Sequence, residues 1–536
     1  MKKARKFNDM TKIQIYDTTL RDGSQAEGIS FSLQDKIHLA GRLDSLGFDF
    51  VEGGYPASND KDFRFFQEIS DVTLETAKVS AFGMTRRKGK SITEDSGIQS
   101  LLDAKTPCIT IVGKSSAFQV EEVICSTREE NLEMIEETVE YFTKNDRRVI
   151  YDAEHFFDGF KSDPEYSLQT LKTAVAAGAE TVALCDTNGG SMPSEIFDAV
   201  KQVVRSVDAR VGIHAHNDCG MAVANTISAV DAGATHVQGT INGFGERCGN
   251  ADLIQICAIL ALKKKGYELL KPDSIIQLTN LSRYVYEMVN VPISKRQPFV
   301  GKSAFAHKGG MHVSGIHRTA NSYEHIDPAA VGNERRVLVS ELSGRSNIVA
   351  MTGRHNIKQD ETLMQKILAE VVKRENLGYQ YEVAEGSFNI LVRRVSDLYK
   401  PHFEKLHYHV GIESQQNGAM VSEATVKIRI NGDIQHVVAE GDGPVDALNC
   451  AMRKALLPYF PNLEQMRLID YKVRVINSEA ATAAQVRVLI ESFDGKDAWG
   501  TVGVNENIVE ASWQALVDSI EYKLFKDAEK TDKRKT

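Results

Sequence analysis

The feature that most constrains this chain is a regular alternation of two kinds of segment. From about Lys12 to about Lys265, short β-branched runs alternate with amphipathic helical stretches at a spacing of about thirty residues. Eight runs read as strands: Ile13 to Tyr16, Phe50 to Gly53, Val79 to Phe82, Cys108 to Val112, Val149 to Ala153, Thr181 to Cys185, Val211 to His214 and His236 to Ile241. Stretches such as Leu33 to Leu46, Arg128 to Thr143, Pro193 to Ser206 and Met221 to Ala232 read as the helices between them. Strict alternation of this kind implies a parallel sheet. Eight units close into a (β/α)8 TIM barrel of the α/β class, and a ligand site is then expected at the C-terminal ends of the strands.

Polar, glycine-rich segments fall at those ends. Asp17-Thr18-Thr19-Leu20-Arg21-Asp22-Gly23 follows the first strand, Glu52-Gly53-Gly54 ends the second, Asp152-Ala153-Glu154-His155 the fifth and Cys185-Asp186-Thr187-Asn188-Gly189-Gly190 the sixth. His214-Ala215-His216-Asn217-Asp218 ends the seventh, and Asn242 to Asn250 follows the eighth. Residues two apart on a strand face the same way, so His214 and His216 present both imidazoles to one side, with the Asp22 carboxylate opposite. One carboxylate and two imidazoles leave coordination positions open for water or a chelating substrate, as a catalytic metal site requires. Magnesium, manganese, cobalt or zinc would suit such donors. His-x-His alone also occurs on edge strands, and Arg-Asp-Gly alone is often a turn. Their joint placement at strand ends of one barrel is what points to a metal.

The remainder of the chain divides by pattern. The expected order is a leader over residues 1–11, the barrel over 12–275, linker subdomains over 276–380, a compact α+β domain over 381–525 and a charged tail over 526–536. The linker region, read as covering the barrel mouth, carries His307, His312, Tyr323 and the segment Leu342 to Asn347 among glycine-rich stretches. In the α+β domain, Val426 to Ile430, a strand around His436 to Ala439 and a helix from Val445 to Leu456 are echoed by Val486 to Ile490, Trp499 to Val504 and Ile508 to Leu524. This internal ββα repeat suits effector binding or dimerisation.

Composition excludes several classes. A net charge of −9 over 536 residues, with no basic stripe interleaved with aromatics, argues against nucleic acid as a partner. No apolar run reaches the length of a membrane span, and the basic start lacks the apolar stretch of a secretory signal, so a cytoplasmic location is expected. The 7 cysteines form no Cys-x-x-Cys pair and indicate neither a disulfide framework nor a zinc knuckle.

Taken together, the Asp17 to Gly23 segment, His214-x-His216-Asn217-Asp218, Gly243-x-Gly245-Glu246-Arg247-x-Gly249-Asn250 and the C-terminal repeat resemble the 2-isopropylmalate, homocitrate and citramalate synthase family over nearly the whole chain. Gly28 to Ser32, Glu52 to Asn59, Asp152 to Gly159 and Cys185 to Gly190 are most similar to its citramalate branch, with Tyr55 and Ala57 in place of the Trp and Gly expected there. The resemblance implies an acyltransferase that condenses acetyl-CoA with pyruvate and hydrolyses the thioester, giving (R)-citramalate and CoA for isoleucine formation. It further implies a divalent metal, acetyl-CoA as co-substrate, a homodimer, and isoleucine as effector at a regulatory domain over 381–525. By position, Asp22, His214 and His216 match the family's metal ligands, Asn250 a further position of that set, and Arg21 the catalytic arginine. Glu154 and Thr187 match residues near the keto acid, while His312 and Tyr323 match linker residues implicated in catalysis. Chemistry agrees with these roles: a metal chelating a 2-oxo acid polarises its carbonyl, and a fixed guanidinium stabilises the alkoxide that forms. His312 is the expected base towards the acetyl methyl group, with His307 the competing choice and Glu154 a water- or substrate-orienting residue. The rival readings are a synthase for 2-oxoisovalerate or 2-oxoglutarate, a carboxyl-transfer or aldol-cleaving enzyme on the same barrel, and a non-enzymatic amino-acid sensor.

Overall fold

The computed structural model describes residues 10–338, 361–414, 420–476 and 484–532. The segment Leu342 to Asn347 and most of the leader lie outside the described residues. The chain forms two compact units, the first comprising residues up to 305 together with 326–334, the second 306–325 together with 335 onward.

In the first unit eight parallel strands close into a barrel: Gln14–Asp17, Phe50–Gly54, Lys78–Met84, Cys108–Lys114, Arg148–Glu154, Thr181–Asp186, Arg210–Ala215 and His236–Gly239. Closure comes from the first strand, which pairs with both the second and the eighth. Helices enter from well-capped starts. Ser32 and Asp35 form a reciprocal capping box before Leu33–Leu46, and Gly47 in the left-handed region ends that helix. The eighth strand stops at Gly239, short of the expected Ile241, because Asn242 takes a positive φ of 65° inside a short 3-10 turn. Helix Leu278–Met288, which the sequence pattern puts in the linker, belongs to this barrel unit.

The barrel interior is layered. Towards the N-terminal ends, Tyr16, Phe50, Cys108 and Ile150 form a buried apolar cluster, and the His236 ring packs against Tyr16 and Phe50 at centroid distances of 5.4 and 5.8 Å. One residue pair further along each strand the interior turns polar, with Glu52, Thr110, Asp152 and Gln238 all buried. This apolar plug beneath a polar layer confines chemistry to the C-terminal mouth.

In the second unit the C-terminal repeat is larger than its sequence pattern. Each half is βββα rather than ββα: strands Glu404–Ser414, Met420–Ile430 and Asp433–Gly441 precede helix Pro444–Leu456, and Arg467–Val475, Val486–Phe493 and Ala498–Asn505 precede helix Ile508–Asp532. Each sheet is antiparallel with the middle strand in sequence also central in space. Val426, Ile428, Leu448 and Met452 of the first half share one core with Val488, Ile490, Trp499 and Leu516 of the second.

Close packing at the end of the eighth strand yields a stability prediction. A Cβ on Gly239 would lie 2.4 Å from the Ala251 carbonyl oxygen and 3.1 Å from the Leu253 side chain. Gly239→Ala should cost about 2 kcal/mol in denaturant unfolding of the barrel. An unchanged midpoint would show that the Ala251 segment yields freely.

Candidate active site

The turn after the first strand is built by its own side chains. The buried Asp17 carboxylate accepts from the Thr19 backbone N–H at 3.1 Å and from the Thr19 hydroxyl at 2.6 Å, while Thr19 Oγ1 accepts from the Ile241 N–H at 2.8 Å. Thr18 in turn receives the Gly23 N–H on its carbonyl at 3.0 Å, and its own N–H donates to the Gly239 carbonyl at 2.9 Å. The turn carrying Arg21 and Asp22 is thus fastened to the eighth strand.

Arg21 is held from two sides. Its Nε donates to Oε2 of Glu52, whose side chain is fully buried, and its guanidinium lies 3.8 Å over the Phe82 ring. Glu52 also accepts from the hydroxyls of Tyr16 and Thr18. Glu52 and Phe82 therefore immobilise the guanidinium with one edge towards Asp22, at 3.5 Å.

Asp22, His214 and His216 converge. His214 Nε2 lies 3.2 Å and His216 Nε2 3.9 Å from Asp22 Oδ2, and the two Nε2 atoms are 3.3 Å apart. Burial pushes the Asp22 carboxyl up, but Arg21 and the two imidazoles more than offset this and hold it well below the usual range. Burial and the adjacent His214 push His216 down to about 4, which leaves it a neutral donor at pH 7. Burial also depresses His214, yet the hydrogen bond and charge of Asp22 draw it up on balance. The cluster concentrates donor atoms on a point that attracts positive charge.

The tautomer of His214 is set from behind. Gln238 Oε1 lies 2.9 Å from His214 Nδ1, and Gln238 Nε2 donates to Asp152 Oδ1 at 2.8 Å. Because the Gln238 amide gives its N–H to Asp152, its oxygen must accept from His214 Nδ1–H, so that when Nε2 gives up the proton it shares with Asp22 the lone pair of the neutral ring lies on the Asp22 and His216 side. Burial, opposed by His214 and reinforced by Glu52, pushes Asp152 up to about 7.

A divalent cation fits this donor set. Asn250, bridged backbone to backbone with His216, has a buried Oδ1 with no hydrogen-bond partner, while its Nδ2 donates to the Phe244 carbonyl at 3.1 Å. An unpaired buried acceptor costs about 1–3 kcal/mol, a deficit that a bound ion and its waters would remove. Gly245 is needed for this arrangement, since a Cβ there would lie 2.1 Å from Asn250 Nδ2.

The remaining candidates separate. Glu154, paired with Lys114, and Thr187 border the same cavity of about 150 Å³ as Arg21, Asp22 and the two histidines. Thr187 Oγ1 accepts from the His155 N–H at 2.9 Å, and its carbonyl accepts from Arg247, which also forms a two-point contact with Asp218 at 2.7 and 2.9 Å. Cys185 lines the cavity too, but burial pushes its thiol well up and makes it a poor nucleophile. His312 and Tyr323 belong to the second unit, where their rings stack at 4.2 Å. The competing base His307 lies 3.2 Å from Glu324, itself paired with Arg335. Sequence reasoning did not identify Glu52, Gln238 and Asp152 as site residues. Their signal was a polar residue at an inward strand position beside an assigned ligand or Arg21.

Two substitutions test the centre. Asp22→Ala should abolish measurable divalent-ion binding with the fold intact, by calorimetry and circular dichroism. Gln238→Leu should weaken ion affinity about tenfold by freeing the His214 tautomer; unaltered affinity would mean that Gln238 does not orient that ring.

Comparison with known proteins agrees with this geometry. Residues 12–285 match the family model described as HMGL-like, 299–377 that described as homocitrate synthase post-HMGL domain-like, and 382–524 the LeuA allosteric (dimerisation) domain. The chain is 50% identical over 522 residues to an (R)-citramalate synthase of Aquifex aeolicus, covering 97% of this chain and 99% of that one. It is 49% identical over 523 residues to the (R)-citramalate synthase of Geobacter sulfurreducens, with 97% and 99% covered. A probable 2-isopropylmalate synthase of Methanopyrus kandleri is 32% identical over 510 residues, with 95% and 98% covered. The chain thus belongs to the HMGL-like family and, by its identity over nearly the full length of both relatives, to the (R)-citramalate synthases within it.

Proposed function

We propose that the chain condenses acetyl-CoA with pyruvate and hydrolyses the resulting thioester, releasing (R)-citramalate and CoA. The observation that carries this reading is a small cavity combining an Asp-His-His donor set with an immobilised guanidinium, in a chain half identical to (R)-citramalate synthases. Asp22, His214, His216 and Asn250 would hold a divalent cation of the magnesium, manganese, cobalt or zinc type. When bound, the ion supplies Lewis acidity to a chelated 2-oxo acid.

The residues divide the remaining work. Arg21, already oriented by Glu52 and Phe82, stabilises the negative charge that develops on the keto oxygen as the new carbon–carbon bond forms. Thr187 and Glu154 bind the keto acid, and Glu154 positions it or a water for thioester hydrolysis. His312 takes the proton from the acetyl methyl group, aided by Tyr323. Phe82 and Val112 border the cavity and would bound the space open to the side chain of the keto acid. The C-terminal domain binds isoleucine as effector and joins two copies into a dimer, in keeping with the dimerisation family it matches. No helix among the described residues is long and apolar enough to cross a membrane, in keeping with the proposed cytoplasmic setting.

The rival keto acids are separable by one assay. CoA release measured with pyruvate, 2-oxoisovalerate and 2-oxoglutarate should give a kcat/KM for pyruvate that exceeds the others by about tenfold or more. Preference for 2-oxoisovalerate would replace this reading by that of a 2-isopropylmalate synthase, to which the Methanopyrus similarity would then point.

A further inference from the structure

The Thr187 hydroxyl has one proton to give, and it is uncommitted. Thr187 Oγ1 accepts from the His155 N–H at 2.9 Å, and among the described residues no protein acceptor takes the hydroxyl proton. That proton is free for a ligand in the cavity that Thr187 borders. Its direction depends on how the Thr187 backbone is held.

Arg247 holds that backbone. One guanidinium nitrogen donates to the Thr187 carbonyl at 2.9 Å, and the same edge of the group engages Asp218 at 2.7 and 2.9 Å. Thr187, Asp218 and Arg247 follow the sixth, seventh and eighth barrel strands, so a single side chain ties three consecutive βα loops together. The loops are shaped for close approach: Gly189 has a φ of 62°, and a Cβ there would lie 2.5 Å from Asp218 Oδ2. Both residues that grip Thr187 have left-handed backbone, with φ of 55° at His155 and 54° at Arg247. A non-glycine residue in that region is strained and persists only where its surroundings fix it. Stability does not account for the strain at Arg247, because an ion pair with side chains 43% and 24% exposed adds little to folding. The candidate metal ligands have separate support. His216 donates its backbone N–H to the Asp186 carbonyl at 3.2 Å, and Asn217 donates to the Gly249 carbonyl at 2.9 Å.

We propose that Arg247 is a positioning residue for the keto acid: clamped on Asp218, it fixes the Thr187 carbonyl so that the Thr187 hydroxyl presents its proton to the substrate carboxylate. The assignment rests on the keto-acid role proposed above for Thr187. Arg247 thereby acts on one substrate alone, through Thr187, and leaves both the cation and the acyl donor to other residues.

The test reads the two substrates separately in the full-length, manganese-loaded protein. Arg247→Gln should raise the KM for the keto acid about tenfold, with kcat within about threefold of the wild type. The KM for acetyl-CoA and the calorimetric affinity for manganese should not move. Arg247→Lys, which keeps the charge but lacks the planar fork, should fall between the two. Asp218→Asn should match Arg247→Gln, and the double variant should be no worse than either single one, because both break the same clamp. An unchanged keto-acid KM in Arg247→Gln would remove this residue from the site. Parallel losses in both KM values, manganese affinity and the thermal unfolding midpoint would reduce it to a structural brace and equally overturn the proposal. Calorimetric titration of the wild type and Arg247→Gln with pyruvate reads the same loss without turnover. A wild type that prefers 2-oxoisovalerate, with the KM shift appearing on that acid, would overturn the pyruvate reading and retain Arg247.

Discussion

A fully buried carboxylate near the barrel axis organises this site. Glu52 receives Arg21 Nε, the Thr18 hydroxyl and the Tyr16 hydroxyl, and so joins the turn that carries Arg21 and Asp22 to the apolar plug beneath it. An unpaired carboxylate in this position would carry a desolvation cost of several kcal/mol, so the protein retains it only with its donors in place. The arginine is consequently fixed before any substrate arrives. A preset guanidinium needs no reorganisation when charge appears on a keto oxygen, whereas a mobile surface arginine would have to be ordered at that moment.

The same logic extends from the arginine to the candidate metal ligands. Each is backed by a neighbour whose own hydrogen bonds are satisfied: Asp22 by the Thr18 turn, His214 by Gln238, and Gln238 by Asp152. Two imidazole nitrogens at 3.3 Å, both near one carboxylate, form a donor set compact enough to hold a metal ion. In this barrel the polar interior layer is therefore support for the mouth rather than a defect of the core.

Much of this was legible in the sequence, for specific reasons. The eight strands and the helices between them announce themselves because parallel strands buried on both faces need continuous apolar runs. Asp22, His214 and His216 were legible because strand ends and the two-residue period place them without further information. Glu52 and Gln238 were not assigned, because one polar residue in an apolar strand gives no hint of which partners it meets across the barrel. The first strand of each C-terminal half was missed for a different reason. Both strands alternate, with Leu406, Tyr408, Val410 and Ile412 in one and Ile469, Tyr471, Val473 and Val475 in the other, but neither contains a fully buried position, and the more apolar runs that follow each of them masked the signal. The contribution of His312 and Tyr323 is carried by resemblance, since their stacking on each other is a property of the second unit alone.

The bond from the Ile241 N–H to Thr19, together with that from Thr18 to Gly239, ties the beginning of the barrel to its last strand. Asp22 follows the first barrel strand, the histidines lie at the end of the seventh, and Asn250 is in the loop after the eighth, so the candidate metal ligands straddle the seam where the ring is sealed. An ion captured there is linked thermodynamically to sealing: its binding free energy adds to the cohesion of the terminal βα unit, and a chain with that seam open has nothing to offer it. A metal held by these residues would double as a clasp.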